Sequence, residues 1–381
     1  MIEIKEVKTK KEKKLFATYP LKLYKGCPYY VPSITDDEIA NFDPKKNSSL
    51  RTCKYKGFLA YKDGELVGRI AGIINTVDNE LSNKKCVRLS RIECINDLDV
   101  FKALLSAVAN FGKENGMDTM HGPWGFTDQD REGMLTEGFE ERSTYSTNYY
   151  YSYFHENLEK LGFEDESKWV EMRFQIPDKV DERAERLSKK VLEKYKVREI
   201  ADKMPIGQII KKYGKKFFET VNEAYGHLDG YVPLDEAMQK DLLSTMALIL
   251  NPRYISILVD EKDDVAALGV CLPSICEALK KHNGNILPFG IFDLLKVIKK
   301  PKELEMALIG IKNEYKNKGL NSIVINRIMK NIIEDKIEKI ESNPMLETNS
   351  AILQQWKFAD YVIAKKRQTY KISIDKFLQN V

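Results

Sequence analysis

The period of the apolar positions changes repeatedly along this chain, and each change marks an element. Ile2 to Val7 reads as a strand, and Lys11 to Tyr24 has helical spacing. Gly57 to Lys62 and Glu65 to Asn75 are strand-like runs joined by Asp63-Gly64, a turn pair that favours a two-residue hairpin. Cys86 to Cys94 is the next strand. Val100 to Asn115 carries Phe101, Leu104, Leu105, Val108 and Phe111 at helical spacing and stops at Gly116. A strand at Asp118 to His121, a helix at Glu156 to Leu161 and a closing strand at Trp169 to Pro177 follow.

The order then restarts. A highly charged helix from Val180 to Tyr195, best read as a solvated face, leads to a strand at Val197 to Ile200. Ile206 to Leu250 is helical, Tyr254 to Asp260 and Val265 to Leu272 form a hairpin, and Glu305 to Ile311 is an apolar strand. A helix follows with Leu320, Val324, Ile325, Ile328, Met329 and Ile332 on its apolar face, and strands at Lys339 to Glu341 and Tyr361 to Ile372 close the chain. The repeat predicts an α/β (α+β) fold of two tandem domains, residues 1–178 and 179–381, each a mixed, mostly antiparallel sheet flanked by helices.

The two halves differ at the turn between the third strand and its helix. In the second half this turn contains Lys316, Lys318 and Gly319. A helix start leaves backbone N–H groups unpaired and carries partial positive charge, so a basic, glycine-containing turn there suits a phosphate or pyrophosphate. The first half has Ile95-Asn96-Asp97-Leu98-Asp99 instead, an acidic turn without glycine that repels one.

Ile311 to Asn321 resembles the pyrophosphate loop of the GNAT N-acetyltransferase superfamily. Ile311, Tyr315, Lys316 and Gly319 fall at its Val, Tyr, Arg and first Gly positions, while Asn313 replaces the usual Pro and Asn321 the second Gly or Ala. Asn349 with Trp356-Lys357-Phe358 resembles the second GNAT signature, and Leu158 to Phe163 echoes its ending in the first half. With its Gly-Pro-Trp-Gly-Phe loop (122–126) and its Leu-Pro-Ser…Leu-Pro-Phe-Gly insertion (272–290), the chain looks like a tandem GNAT-like protein of an uncharacterised bacterial group.

The resemblance implies an acyl-CoA-dependent N-acyltransferase. Acetyl-CoA, or another acyl-CoA, would bind the second half through Ile309, Gly310, Ile311, Lys316, Asn317, Lys318, Gly319, Leu320, Asn321 and Asn349. The first half would lack a cofactor loop. The acceptor would be an amine on a small molecule or peptide, with Glu305 or Glu347 as base and Tyr361 as acid. Trp124, Phe126 and Asp128, in the glycine-rich loop from His121 to Phe139, are candidate substrate contacts, as is His282 on the insertion, read as a lid. The stretch from Asn222 to Leu234, with Tyr225, is a further candidate. Tyr145, Tyr149, Tyr150, Tyr151 and Tyr153 read as half-buried strand residues, with a pocket lining as the alternative. A non-catalytic module that binds acyl-CoA or another ligand is the competing reading.

Composition narrows the setting. Sixty-one basic against 57 acidic residues give a net charge of only +4, interspersed, which argues against a nucleic-acid partner. No run approaches the roughly 20 apolar residues of a membrane span, and no membrane partner is expected. The N-terminus does not read as a signal peptide, and six cysteines without a C-x-x-C pair read as reduced thiols, so a cytoplasmic location is expected. The four histidines have no carboxylate or cysteine at a telling offset, so neither a triad nor a metal site is expected.

Overall fold

The computed structural model describes residues 1–201, 203–228, 231–357 and 359–380; Phe358 of the second signature lies outside them. The first half supplies strands β1 (Ile2–Glu6), β2 (Cys53–Lys62), β3 (Glu65–Asn75), β4 (Cys86–Cys94), β5 (Thr119–Gly122), β6 (Met134–Glu137) and β7 (Glu164–Phe174). The second supplies β8 (Arg198–Glu199), β9 (Ile255–Val259), β10 (Val265–Pro273), β11 (Glu303–Ile311), β12 (Lys339–Ser342), β13 (Met345–Leu346) and β14 (Tyr361–Ser373).

These strands form one 14-stranded sheet with the path β1-β2-β3-β4-β5-β14-β7-β12-β11-β10-β9-β8, where two separate sheets were expected. The two halves have exchanged their last strands. β14 pairs with β5 of the first half, and β7 pairs with β12 of the second. β7 and β14 then pair with each other from Tyr361↔Phe174 to Lys371↔Glu164, forming the seam. Apart from the parallel pairs β4–β5 and β11–β12, the ladder is antiparallel.

Charge is buried at this seam. Lys365 and Arg367 on β14 meet Glu171 on β7, and Lys365 also lies 3.5 Å from Glu341 on β12; all four side chains are at most 4% exposed. Burial alone would lower the Lys365 pKa, but Glu171 and Glu341 outweigh it and the net direction is up.

Local sequence explains most of the elements. Helix Lys10–Leu23 starts with a capping box between Thr9 and Glu12, and helix Leu98–Glu114 starts with the Asp97 carboxylate accepting from the Asp99 and Val100 N–H groups. Helix Leu320–Glu334 buries Leu320, Ile323, Val324, Ile328 and Ile332. It sits close to the sheet at Gly269, where a Cβ would come within 2.3 Å of Val324 Cγ1. The helical stretch expected over 206–250 is two helices, Ile206–Tyr225 and Glu236–Met246.

The tyrosine run is a correction. Residues 145–152 form no strand, and Tyr153 opens helix Tyr153–Lys160. Tyr149 and Tyr151 instead pack their rings on each other and on Tyr24, whose hydroxyl donates to the Tyr149 carbonyl at 3.0 Å. Their near-alternation in sequence reflects ring packing without a ladder.

Candidate active site

β11 pairs with β10 from Leu304 to Ile311, but with β12 only from Glu303 to Met306. Beyond Met306 the parallel pair splays, and on the side away from β10 the 307–311 edge of β11 has no strand partner among the described residues. The tyrosine hydroxyl of Tyr225, at the end of helix Ile206–Tyr225, fills part of that edge. It donates to the Ile309 carbonyl at 3.0 Å and accepts from the Ile309 N–H at 3.3 Å.

The strand leads into the turn that sequence singled out. Tyr315 anchors it through Asp260 at 3.2 Å, and Lys312 pairs with Glu314 at 3.2 Å. Gly319 adopts φ +82°, a left-handed conformation that side chains resist, and the helix beginning at Leu320 has no side-chain cap. Its first N–H groups therefore remain available to an anion. Lys316 is exposed beside them and makes no ion pair among the described residues.

From this splay a cavity of about 1350 Å³ opens between the halves. Its volume exceeds the roughly 300–1,000 Å³ of an ordinary small-molecule pocket. The second half lines it with Gly269 to Leu272, Met306 to Ile309, Val324, Ile328 and Met329, and with Leu242, Met246 and Leu250 around helix Glu236–Met246. The first half contributes Trp124, Phe126, Asp128, Glu132 and Tyr145.

The loop of residues 123–133 is built into the corresponding splay of the first half. Trp124 N–H donates to the Leu89 carbonyl on β4 at 2.8 Å, and Arg88 donates to the Gly125 carbonyl at 2.8 Å. Arg91 meets Asp130 at 3.2 Å and Glu38 at 3.1 Å. The first half thus fills its own opening with protein and turns the loop's other face to the cavity.

Two carboxylates stand out on that face. Asp128 Oδ1 and Glu132 Oε2 are shielded from solvent and accept no hydrogen bond among the described residues. Burial pushes the Asp128 carboxyl up to about 6, against a lowering from Gln129 and Arg88. Burial and then the neighbouring Asp128 push Glu132 well above the usual carboxylate range. The Asp128 charge in turn raises the Tyr225 and Tyr231 hydroxyls, after burial, so it bears on the β11 edge that Tyr225 occupies.

No family model matches the chain. Over 98% of its length it superimposes on 99% of a tandem GNAT protein from the clavulanic acid biosynthesis pathway, with a TM-score of 0.57 at 9% identity. The chain has the tandem GNAT fold. Two curated proteins are similar in sequence across most of this tandem GNAT chain. Protein YghO of Escherichia coli (strain K12) is 26% identical over 358 residues, covering 90% of this chain and 88% of that protein. The bacterial ceramide synthase of Caulobacter vibrioides (strain NA1000 / CB15N) is 24% identical over 313 residues, covering 81% and 80%.

Within this tandem GNAT fold, Ile309, Ile311, Lys316, Asn317, Asn321 and Asn349 line the cavity together with Trp124, Phe126 and Asp128. Gly310, Lys318, Gly319 and Leu320 shape the adjoining strand and turn without forming the wall; Leu320 is buried in the core, and Lys318 lies over the Tyr195 and Tyr315 rings. Glu305 is 3% exposed and sits behind Tyr145, accepting from the Tyr145 N–H at 3.0 Å and from Ser274 at 2.8 Å. Its carboxylate ties the halves together and does not line the cavity. Glu347 is exposed beyond the wall, and Tyr361 is 38% exposed against Phe174. His282 is held by Asp293 at 2.7 Å on the insertion, whose residues beyond β10 (274–302) contribute nothing to the cavity wall. Glu132 was missed; the available signal was its place four residues after Asp128 in the same glycine-rich loop.

Proposed function

We propose that this chain is an N-acyltransferase that takes its acyl group from acetyl-CoA or a longer acyl-CoA and passes it to an amine. The observation that carries the reading is the unpaired 307–311 edge of β11, which runs from the cavity straight into an uncapped, basic helix start. The residues fit the group. Helix N–H donors, Lys316 and the left-handed Gly319 suit a pyrophosphate, and the strand edge suits an amide-bearing arm lying along it as an added strand. Acyl-CoA supplies an acyl group already activated as a thioester.

The chain's own residues then have distinct tasks. An alkylamine has a pKa of about 10.4 and enters as an ammonium ion, which must lose a proton to attack. Asp128, ionised above about pH 6, attracts the cation and takes that proton, and Glu132 beside it holds its own proton. Backbone N–H groups on the β11 edge polarise a carbonyl placed there. The Tyr225 hydroxyl, displaced from Ile309 by an arriving arm, is available as the proton donor to a leaving thiolate. The apolar character and size of the cavity favour a long-chain acyl group or a long-chain amine, in keeping with similarity to a protein named for ceramide synthesis. The test is thiol release from acetyl- and palmitoyl-CoA with small and long-chain amines. Thiol release that requires an amine supports transfer.

A second reading keeps binding without turnover. It rests on Tyr225, which already satisfies both the N–H and the carbonyl of Ile309. Calorimetry with free CoA tests the site that both readings share. Gly319→Asp is expected to weaken binding on the order of 100-fold, about 3 kcal/mol, by placing a carboxylate where the anion sits. Gly319→Asn bears a similar backbone strain without the charge and is expected to lose far less. Equal binding by wild type and both variants removes the pyrophosphate turn from the site.

A further inference from the structure

The insertion between β10 and β11 takes no part in the cavity, yet its outer surface is unusual. Leu287, Phe289, Phe292 and Leu295 are 70, 72, 70 and 47% exposed, within nine residues of one another. Scattered exposed apolar side chains are normal, whereas a contiguous group marks a contact surface. Nor is the segment loosely attached. Leu279 and Leu294 are buried in the core below, Ile286, Ile291 and Ile298 pack against it, and the Gly284 carbonyl accepts from Thr35 N–H at 3.0 Å. The exposed apolar side chains are therefore held outward by a well-packed base.

Charge selects the partner. On helix Gly290–Lys299, Phe292, Leu295, Lys296 and Lys299 follow the spacing of one helical face, and Lys300 comes next. Among the described residues, none of these three lysines makes an ion pair. The acidic residues of the insertion are both paired: Glu277 with Arg142 at 2.8 Å, and Asp293 with Lys281 at 2.7 Å, with a hydrogen bond to His282 at 2.7 Å. The surface thus presents large apolar side chains beside uncompensated cations and no free acid. That combination matches an interfacial helix lying on anionic headgroups.

We propose that residues 287–300 dock this protein on the surface of an anionic lipid bilayer. Leu287, Phe289, Phe292 and Leu295 enter the headgroup boundary, and Lys296, Lys299 and Lys300 meet the lipid phosphates. This departs from the sequence-based expectation of no membrane partner, which rested on the lack of a spanning segment. Among the described residues no helix is long and apolar enough to cross a membrane, but lying on one needs only a single apolar face. The core cluster beneath the insertion also contains Ile34, Met246 and Leu250, which line the cavity, so docking brings the cavity close to the lipid. The docking surface stands independently of the acyltransferase reading.

Vesicle flotation tests it. Wild type is expected to float with phosphatidylcholine vesicles containing phosphatidylglycerol, and less as salt is raised. Phe289→Ser with Phe292→Ser is expected to cut partitioning at least tenfold at an unchanged melting temperature, since both side chains already face solvent. Lys296→Gln with Lys299→Gln is expected to remove the preference over pure phosphatidylcholine. Wild type remaining unbound to anionic vesicles, or the serine variant floating as well as wild type, overturns the proposal. So does size-exclusion evidence that the patch closes a dimer which the serine variant dissociates, if wild type then leaves vesicles unbound.

Discussion

Replacing Asp128 by asparagine is expected to lower amine acylation by about 10²- to 10⁴-fold, the usual range for losing a positioned proton acceptor. The same change should stabilise the protein above neutral pH. The charged or titratable groups that bear on this carboxylate are Glu132, Arg88, Tyr225 and Tyr231. In the folded state Asp128 titrates at about 6, against about 3.9 for an unfolded aspartate. The native state therefore holds the proton more tightly, and this contribution to stability is fully present below about pH 4. It is lost as pH rises through 6. At pH 8 wild type bears a buried, ionised carboxylate costing about 3 kcal/mol, which Asp128→Asn removes. Denaturant melts at pH 4 and pH 8 should show a gain for the variant at pH 8 only. In wild type, kcat/KM should rise with pH through about 6. A variant with full activity, or with the same stability increment at both pH values, argues that this carboxylate does not serve the acceptor.

Lys365→Met is expected to cost about 3–5 kcal/mol, the usual penalty for removing one partner of a buried ion cluster. Lys365 Nζ lies 3.1 Å from Glu171, 3.5 Å from Glu341 and 3.2 Å from the Arg142 carbonyl, and its side chain is fully buried. Without it, among the described residues Glu171 retains only Arg367 as an ion-pair partner, and Glu341 keeps the partly exposed Arg173 and Lys339. These residues bridge β7, β14 and β12 across the exchanged strands, so the loss should lower the melting of both halves together. Calorimetry should show one transition in wild type and one, shifted down, in the variant. Two separate transitions, or a loss below about 1 kcal/mol, would mean that the seam does not couple the halves. Glu171→Gln tests the same cluster from the other side, leaving Lys365 and Arg367 buried with less compensation.

The basic turn and the glycine-rich loop were legible because their determinants are local. The Gly319 turn is a strand end, two lysines and a helix start, all within a dozen residues, and the left-handed glycine follows from the geometry that such a turn needs. Trp124, Phe126 and Asp128 line the cavity and were singled out because a glycine-rich loop with aromatic and acidic side chains is a local pattern. Roles that depend on distant neighbours were read less well. Glu305 looked like a base on a core strand, but Tyr145, Ser274 and Cys276 occupy its carboxylate. His282 sat on an expected lid, yet the insertion packs away from the cavity and turns its apolar side chains to solvent. Glu132 gained its significance only when its loop was wedged beside β4 with one face on the cavity.

Sequence alone determined the repeated order of strands and helices, the hairpin at Asp63-Gly64 and the contrast between a basic and an acidic turn at corresponding positions of the two halves. Each rests on side-chain periodicity or backbone preference within a short window. Tertiary structure alone decided which strands pair. β7 and β14 each bury a continuous run of four residues, and nothing in those runs says which half's strand lies alongside, because pairing is set by the partner's register. That exchange makes one continuous sheet and buries Lys365 with Glu171. The packing of the two halves also sets the first half's loop across a shared cavity from the second half's open strand edge.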